Sequence, residues 1–337
     1  MPLYLLKRLG WMIVVLFAIT VITFVLARVI PANPAASAAG LGATPEQIAA
    51  IAHRMGLDQP LVDQYVTYLT GLLHLDFGTS IQTGASVRTD LGHYLPATLE
   101  LVLVSFVVYV VLAIALGMWA AVTRSRAVDG TIRVLSIVSS AAPVFWVALM
   151  LQLVFFAELD VLPGGGRLDI RETPPATITG LFTVDTLLAG DIPLFLSALA
   201  HLVLPVTAVV LSMLGVGVRL LRSSIGTELD EHYVRTAEAK GLRPSRILLR
   251  HVLKNALNPF VSMSGVQLGY LFAWIILVET IMQWPGIGLY AFTSFQSLDY
   301  SPIMAITLVV TVLFLVINLL VDLIYPLLDP RIRLAGR

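Results

Sequence analysis

Between Glu231 and Pro259 the chain reads EHYVRTAEAKGLRPSRILLRHVLKNALNP, a polar, basic, helix-prone stretch inside an otherwise apolar sequence. Its acids and bases form no catalytic constellation. They suit docking, with charges on short helices and Gly241 placed to turn the chain. Elsewhere the sequence spells out no covalent chemistry. It has no Cys, hence no thiolate nucleophile, thiolate metal site or disulfide. Its six His residues share no HExxH or comparable metal spacing. There is no GxSxG elbow and no Gly-Lys dipeptide, so neither an esterase-type nucleophile nor a P-loop for ATP is present. If ATP drives a process here, another polypeptide must hydrolyse it.

The local pattern predicts how these residues are held. Thr227 is placed to cap a helix whose first turn carries Glu228, Asp230 and Glu231. Glu231 and Arg235 stand four apart and can pair, and Lys240 closes the last turn before a left-handed cap at Gly241. A second helix starts at Arg243-Pro244-Ser245 and runs to Asn258-Pro259. On it Leu249, Val252, Leu253 and Ala256 form an apolar face, while Arg246, Arg250 and Lys254 form a basic stripe. The break between the helices is a corner over 237–241, projecting into water.

The rest of the chain belongs in lipid. Its 337 residues are 58% hydrophobic and only 12% charged, against roughly a quarter charged in soluble domains. Zero net charge argues against nucleic acid as a partner. A helix needs about 20 apolar residues to cross the hydrocarbon. Six runs qualify: Gly10 to Val29, Leu99 to Val122, Val134 to Ala157, Leu202 to Leu221, Phe260 to Val278 and Ile303 to Tyr325. The first is followed by small residues, Ala35 to Ala39, that resemble a signal-peptidase site, but its length favours a retained anchor. The expected fold is all-α and polytopic. Residues 1–30 form the anchor, 31–98 an extracytoplasmic helical segment, 99–325 the core with its 227–259 loop, and 326–337 a tail.

Lys and Arg orient the spans. Only Arg28, Arg54, Arg88, Arg167 and Arg171 of the 21 basic residues fall in one set of connecting segments. All others fall in the opposite set, which places both termini and the basic island in the cytoplasm. Of the outer segments, Thr44-Pro45-Glu46-Gln47 opens a helix that ends at Gly56, and Asp58 to Leu73 repeats the theme. The second outer segment, Asp160 to His201, is rich in Gly and Pro and reads as loop.

Glu100, Glu158, Glu279 and Asp322 fall near span ends and the span centres are uncharged, which disfavours an ion-coupled secondary transporter. Pro143, Pro205, Gly215, Gly217, Gly265 and Gly269 admit two readings, as lining of a pathway or as close helix packing. His201, Trp11, Trp119 and Trp146 read as interfacial or packing residues. The basic stripe suits anionic lipid as well.

At Tyr233 to Pro259 the chain resembles the EAA loop of permease subunits of ATP-binding-cassette importers, with Glu238, Ala239 and Gly241 at the motif positions and Lys240 where the motif varies. Further segments are similar to the dipeptide/oligopeptide/nickel subfamily: Tyr4 to Leu9, Gly56 to Pro60, Asp76 to Ser80, Leu95 to Glu100, Val278 to Thr280, Trp284 to Gly288 and Asp329 to Arg333. They keep the family's order, and the long segment before the second span resembles the first of two permease subunits. Pro31-Ala32-Asn33-Pro34 departs from the family's usual Pro-Gly-Asp-Pro.

The resemblance implies a type I importer permease in a prokaryotic cytoplasmic membrane, a transport subunit rather than an enzyme. It implies a second homologous permease, two ATPases that bind ATP and Mg, and an extracytoplasmic substrate-binding protein, with no cofactor in this chain. It also implies that Tyr233, Arg235, Thr236, Ala237, Glu238, Ala239, Lys240, Gly241 and Leu242 seat an ATPase. The implied cargo is a dipeptide or oligopeptide. Nickel or another small solute is the alternative, and a stand-alone ion-coupled transporter the more distant one.

Overall fold

Local capping and proline chemistry decide where several helices of this membrane chain begin and break. The computed structural model describes residues 2–29, 34–40, 42–54, 56–123 and 125–328, so the Asp329 to Arg333 segment, most of the tail and positions 31–33 lie outside the described residues. The first span is α1 (Pro2–Val29), followed by the short helices α2 (Pro34–Ala39), α3 (Pro45–Arg54) and α4 (Leu61–Leu73). The second is α5 (Val87–Val122). Helices α6 (Arg126–Ala141) and α7 (Val144–Leu151), with a π-helical continuation over Gln152–Glu158, meet at 104° and together make the third. After α8 (Phe182–Ala189) comes α9 (Ile192–Leu229), the fourth span. Helices α10 (His232–Ala239) and α11 (Pro244–Ile247) then lead through a π-turn, Leu248–Val252, into α12 (Leu253–Ile281). The chain ends with α13 (Ile287–Gln296) and α14 (Tyr300–Leu328). Among the described residues five helices are long and apolar enough to cross a membrane, or six where the bent pair counts as one span.

Several boundaries differ from the sequence reading, each for a local reason. The third span is not one rod from Val134 to Ala157. Pro143 lacks an N–H and forces Ala142 into an extended conformation (φ −80°, ψ 120°), which breaks the helix there. The second span begins a dozen residues early, because Ser86 Oγ accepts from Thr89 N at 3.2 Å and starts α5 at Val87. The last part of the 31–98 segment is therefore continuous with a membrane helix. Asp191 likewise accepts from Leu194 N at 3.0 Å and starts α9 ahead of Leu202. With α8, it makes much of the expected second outer loop helical. The Thr44 expectation holds as a reciprocal capping box, Thr44 N donating to Gln47 Oε1 (2.8 Å) and Gln47 N to Thr44 Oγ1 (3.4 Å).

Helix α9 is the hub, packed against α5, α6, α7, α8 and α12, while α1 lies at the periphery against α14. The central cluster includes Leu101, Tyr109, Met213, Leu221, Phe260, Leu271 and Trp284, all buried. The span glycines belong to packing. A methyl on Gly215 would stand 2.6 Å from Ser136 Cα, on Gly217 2.6 Å from the Tyr109 hydroxyl, on Gly265 2.7 Å from Val321 and on Gly269 2.6 Å from Phe314. The α6–α9 seam is also hydrogen-bonded, Ser136 Oγ donating to Gly215 O and Gly215 N to Ser139 Oγ, both at 3.1 Å. His201 is buried with Nδ1 2.8 Å from Ser197 O, and Trp11, Trp119 and Trp146 are exposed on helix surfaces.

Cross-links fix which helix ends share a membrane side. Arg8 near the start of α1 pairs with Asp322 near the end of α14, on the side where α10 and α11 lie between α9 and α12. At the opposite side Thr98 of α5 meets Glu279 of α12, and Arg167 meets Glu100.

Candidate coupling site

The basic island forms the corner between the two longest helical stretches. Ile192–Leu229 and Pro244–Ile281 each run 38 residues, about 57 Å at 1.5 Å per residue, beyond the ~30 Å hydrocarbon. Both therefore carry the corner out of the membrane. Thr227 does not cap a helix. It lies inside α9, and its hydroxyl is satisfied by Ser223 O at 3.1 Å, so nothing there interrupts the ladder. The break comes at Asp230, and extended Glu231 (φ −69°, ψ 149°) precedes α10. Among the described residues no ion pair joins Glu231 to Arg235.

Helix α10 is two-faced. Val234 and Ala237 are buried in the central cluster, with Tyr233 and Leu242 half-buried against it. Arg235, Thr236, Glu238, Ala239, Lys240 and Gly241 are exposed. Gly241 closes the helix in the left-handed region, φ +73°, as its type predicts. Gly241 N donates to Glu238 O (2.8 Å) and Leu242 N to Ala237 O (3.2 Å), satisfying the carbonyls of the last turn. A methyl at Gly241 would meet nothing within 4 Å, so backbone conformation rather than crowding calls for glycine.

The second helix does not stop at Asn258-Pro259. It passes through Pro259 into the membrane, after a π-turn over Leu248–Val252. Its inner face is Ile247, Val252 and Ala256, all buried, with Leu248 and Leu253 half-buried. Leu249, expected on that face, is 58% exposed, because the π-turn changes the helical phase. Arg246, Arg250 and Lys254 are exposed as expected.

A polar clamp that the local reading missed ties the corner together. Tyr233 Oη donates to Glu228 Oε2 at 2.5 Å, and Asn255 Nδ2 reaches Glu228 Oε2 at 3.3 Å and Tyr233 Oη at 3.4 Å. One residue each from α9, α10 and α12 meet there. Burial and the adjacent Glu228 carboxylate push the Tyr233 phenol up to about 12, with the Asn255 hydrogen bond opposing. It stays a donor across physiological pH. Glu228 was read as dipole complement of a first turn, and no local pattern places it beside Asn255, 27 positions on.

Two profiles for binding-protein-dependent transport systems match the chain. The inner membrane component profile covers residues 113–334, and the N-terminal membrane component profile covers residues 1–102. The chain belongs to this family of inner membrane transport components. It is 39% identical over 330 residues to a probable D,D-dipeptide transport system permease protein of Escherichia coli strain K12, covering 98% of this chain and 97% of that protein. It is 37% identical to a dipeptide transport system permease protein of Alkalihalophilus pseudofirmus, covering 98% and 99%. A di/tripeptide transport system permease protein of Pseudomonas aeruginosa is also 37% identical, with 97% of each chain covered. As an inner membrane component, this permease is a multi-pass transport subunit that works in a membrane complex with ATPase and binding-protein partners. Family membership replaces the stand-alone ion-coupled reading.

On the side opposite the corner, the permease buries two carboxylate sites that sequence reasoning noted only as charges near span ends. Glu279 accepts from Thr98 Oγ1 (2.6 Å) and Gly288 N (2.6 Å), and Ile287 N donates to Thr98 Oγ1 (2.8 Å). Trp284 Nε1 donates to Ala97 O at 3.0 Å beside it. The family-like segments Leu95 to Glu100, Val278 to Thr280 and Trp284 to Gly288 thus converge in space. They join α5, α12 and α13. Their resemblance was visible in the sequence, but their contact was not.

Proposed function

We propose that this chain is one permease of an ATP-driven importer of dipeptides or oligopeptides, forming half of the translocation pathway, with the 233–242 corner as the seat for an ATPase subunit. The full-length similarity to proteins named for dipeptide transport supports the cargo. The corner's geometry supports the seat. Its outer face, Glu238 to Gly241, is small, charged and open, while Val234 and Ala237 anchor its inner face in the core. In this reading a second, similar permease completes the pathway, and two ATPases hold ATP and Mg. An extracytoplasmic binding protein delivers peptide. The positive-inside asymmetry puts the corner and both termini in the cytoplasm.

The mechanism is mechanical. Closure of the ATPases on ATP displaces α10, and the Tyr233–Glu228–Asn255 clamp passes that displacement to α9 and α12 together. Both run uninterrupted into the core, so the spans respond as a two-state element biased by nucleotide at one end and loaded binding protein at the other. Gly241→Pro and Glu238→Arg test the reading. Each is expected to lower substrate-stimulated ATPase activity while membrane insertion stays intact. Wild-type coupling in both variants would remove the corner from the mechanism.

A further inference from the structure

On the side away from the corner, a cavity of about 550 Å³ opens between the end of α1, the end of α3, the 78–81 loop and the start of α14. Its size falls within the range of small-ligand sites, about 300–1,000 Å³. Two guanidinium groups line it, Arg28 and Arg54, and among the described residues neither has a carboxylate partner. Arg28 Nε and the Tyr300 hydroxyl are buried there with no hydrogen-bond partner. Thr79 and Ser301 add two more hydroxyls to the lining.

Asp299 also borders the cavity, with its Oδ1 buried and without a hydrogen-bond partner. Its Oδ2 accepts from Ser80 Oγ (2.7 Å), Ile81 N (2.6 Å) and Gln82 N (3.2 Å), which pins the loop against α14. Two guanidinium groups against this one carboxylate leave the cavity a net positive charge. Each also stands in the last turn of its helix, where a cation complements the carbonyl end. That accounts for their charge but not for two of them facing one cavity, nor for the orphaned Nε and hydroxyl. Buried donors without partners are uncommon in folded proteins and call for an acceptor.

The cavity's depth in the membrane names the acceptor. Arg28 ends the first membrane-crossing stretch, Leu6–Arg28, and Tyr300 begins the last, Tyr300–Leu323. Both mark the boundary where hydrocarbon gives way to phosphate headgroups. We infer that this cavity is a phosphate site, with Arg28 and Arg54 binding the phosphate oxygens and Tyr300 donating a further hydrogen bond, filled by a phospholipid headgroup or by free phosphate. A planar guanidinium suits that tetrahedral anion, and its ready desolvation suits an interfacial site. The site would lock the peripheral α1 to α14 at the end opposite the Arg8–Asp322 pair.

The test is native mass spectrometry of the purified membrane complex carrying this chain, extracted and delipidated in parallel for wild type, Arg28→Gln/Arg54→Gln and Arg28→Lys/Arg54→Lys. The probe is phosphatidylglycerol added back at fixed concentration, with and without excess inorganic phosphate. Wild type is expected to retain bound lipid that the double Gln variant loses, with occupancy falling about tenfold or more, the scale of one lost charge-assisted contact. The Lys variant, which keeps the charges, is expected to retain part of it. Retention unmoved by inorganic phosphate assigns the site to the headgroup. Displacement by inorganic phosphate assigns it to the free anion. Equal lipid retention in wild type and the Gln variant, with no effect of phosphate on either, overturns the proposal. Unchanged retention accompanied by weaker capture of a soluble binding protein overturns it as well, by giving the arginines to a protein contact. Complex assembly, followed by size exclusion, separates loss of the site from loss of the fold.

Discussion

Arg167 and Glu100, 67 positions apart, form a buried ion pair at 2.6 Å. Their side chains are 6% and 2% exposed. Arg167 Nη2 also donates to Gly180 O (2.8 Å), and its guanidinium lies 3.5 Å from the Phe182 ring centre. Glu100 Oε1 accepts from Thr183 N (2.7 Å) and Thr183 Oγ1 (2.6 Å). Burial lowers the Arg167 pKa from its ordinary value, and the Glu100 charge opposes that shift. The pair fastens the 160–190 segment onto α5.

Removing one partner should therefore cost more than removing both. Arg167→Ala strands a carboxylate with no cation and is expected to destabilise the protein by about 3–5 kcal/mol. Glu100→Gln combined with Arg167→Met is expected to recover much of that loss. Melting of the purified complex reads both, and equal melting temperatures for the single and double variants would contradict the pairing.

Gly288→Ala should disrupt the second carboxylate site. Its methyl would lie 2.5 Å from Ile276 Cα and 2.7 Å from Glu279 Oε2, so α13 must move and the Gly288–Glu279 hydrogen bond weakens. The expected loss is about 1–3 kcal/mol. Gly92→Ala is the control. That position is helical with open space around it, and alanine there should be neutral or stabilising by up to about 1 kcal/mol.

His53 Nδ1 and Asp58 Oδ2 meet at 2.6 Å across the turn after α3. The hydrogen bond to Asp58, then its charge, raises the His53 pKa, and the same hydrogen bond leads in lowering that of Asp58. The histidine's contribution is complete below its unfolded value of about 6.5 and is lost as pH rises through the raised folded value. The aspartate's contribution is complete above about 3.9 and is lost as pH falls through the lowered folded value. Amide exchange of Gly56 to Gln59 should accordingly be slowest, relative to the intrinsic rate, between those limits. His53→Gln should abolish the pH dependence while leaving other segments unchanged.

Tyr233→Phe removes the hydroxyl that joins Glu228 to Asn255. About 1 kcal/mol of anchoring should be lost, with a partial fall in ATP-coupled transport rather than the loss expected at Gly241. Because the phenol titrates only at about 12, wild-type coupling should show no tyrosine step near pH 10. A step there that disappears in the Phe variant would contradict the clamp.

The legible part of this protein was local. Gly241 announced its left-handed turn, and Thr44 and Pro45 announced the start of their helix. The run lengths announced the spans. Misreadings were also local, at places where two local signals competed. Thr227 has a capping side chain, yet its hydroxyl finds Ser223 O and the helix continues. Pro143 sits within one apolar run, yet it divides that run into two helices.

What the sequence determined by itself is that the chain crosses a membrane several times and bears a basic, turned corner, because transfer free energy and backbone preference depend on a residue and its near neighbours. Tertiary structure alone decided which buried charges are satisfied. Glu279 and Thr98 stand 181 positions apart, and Asp299 and Ser80 stand 219 apart. A carboxylate's cost in a low-dielectric site depends on which donors reach it, and donors brought from distant helices leave no periodic trace along the chain.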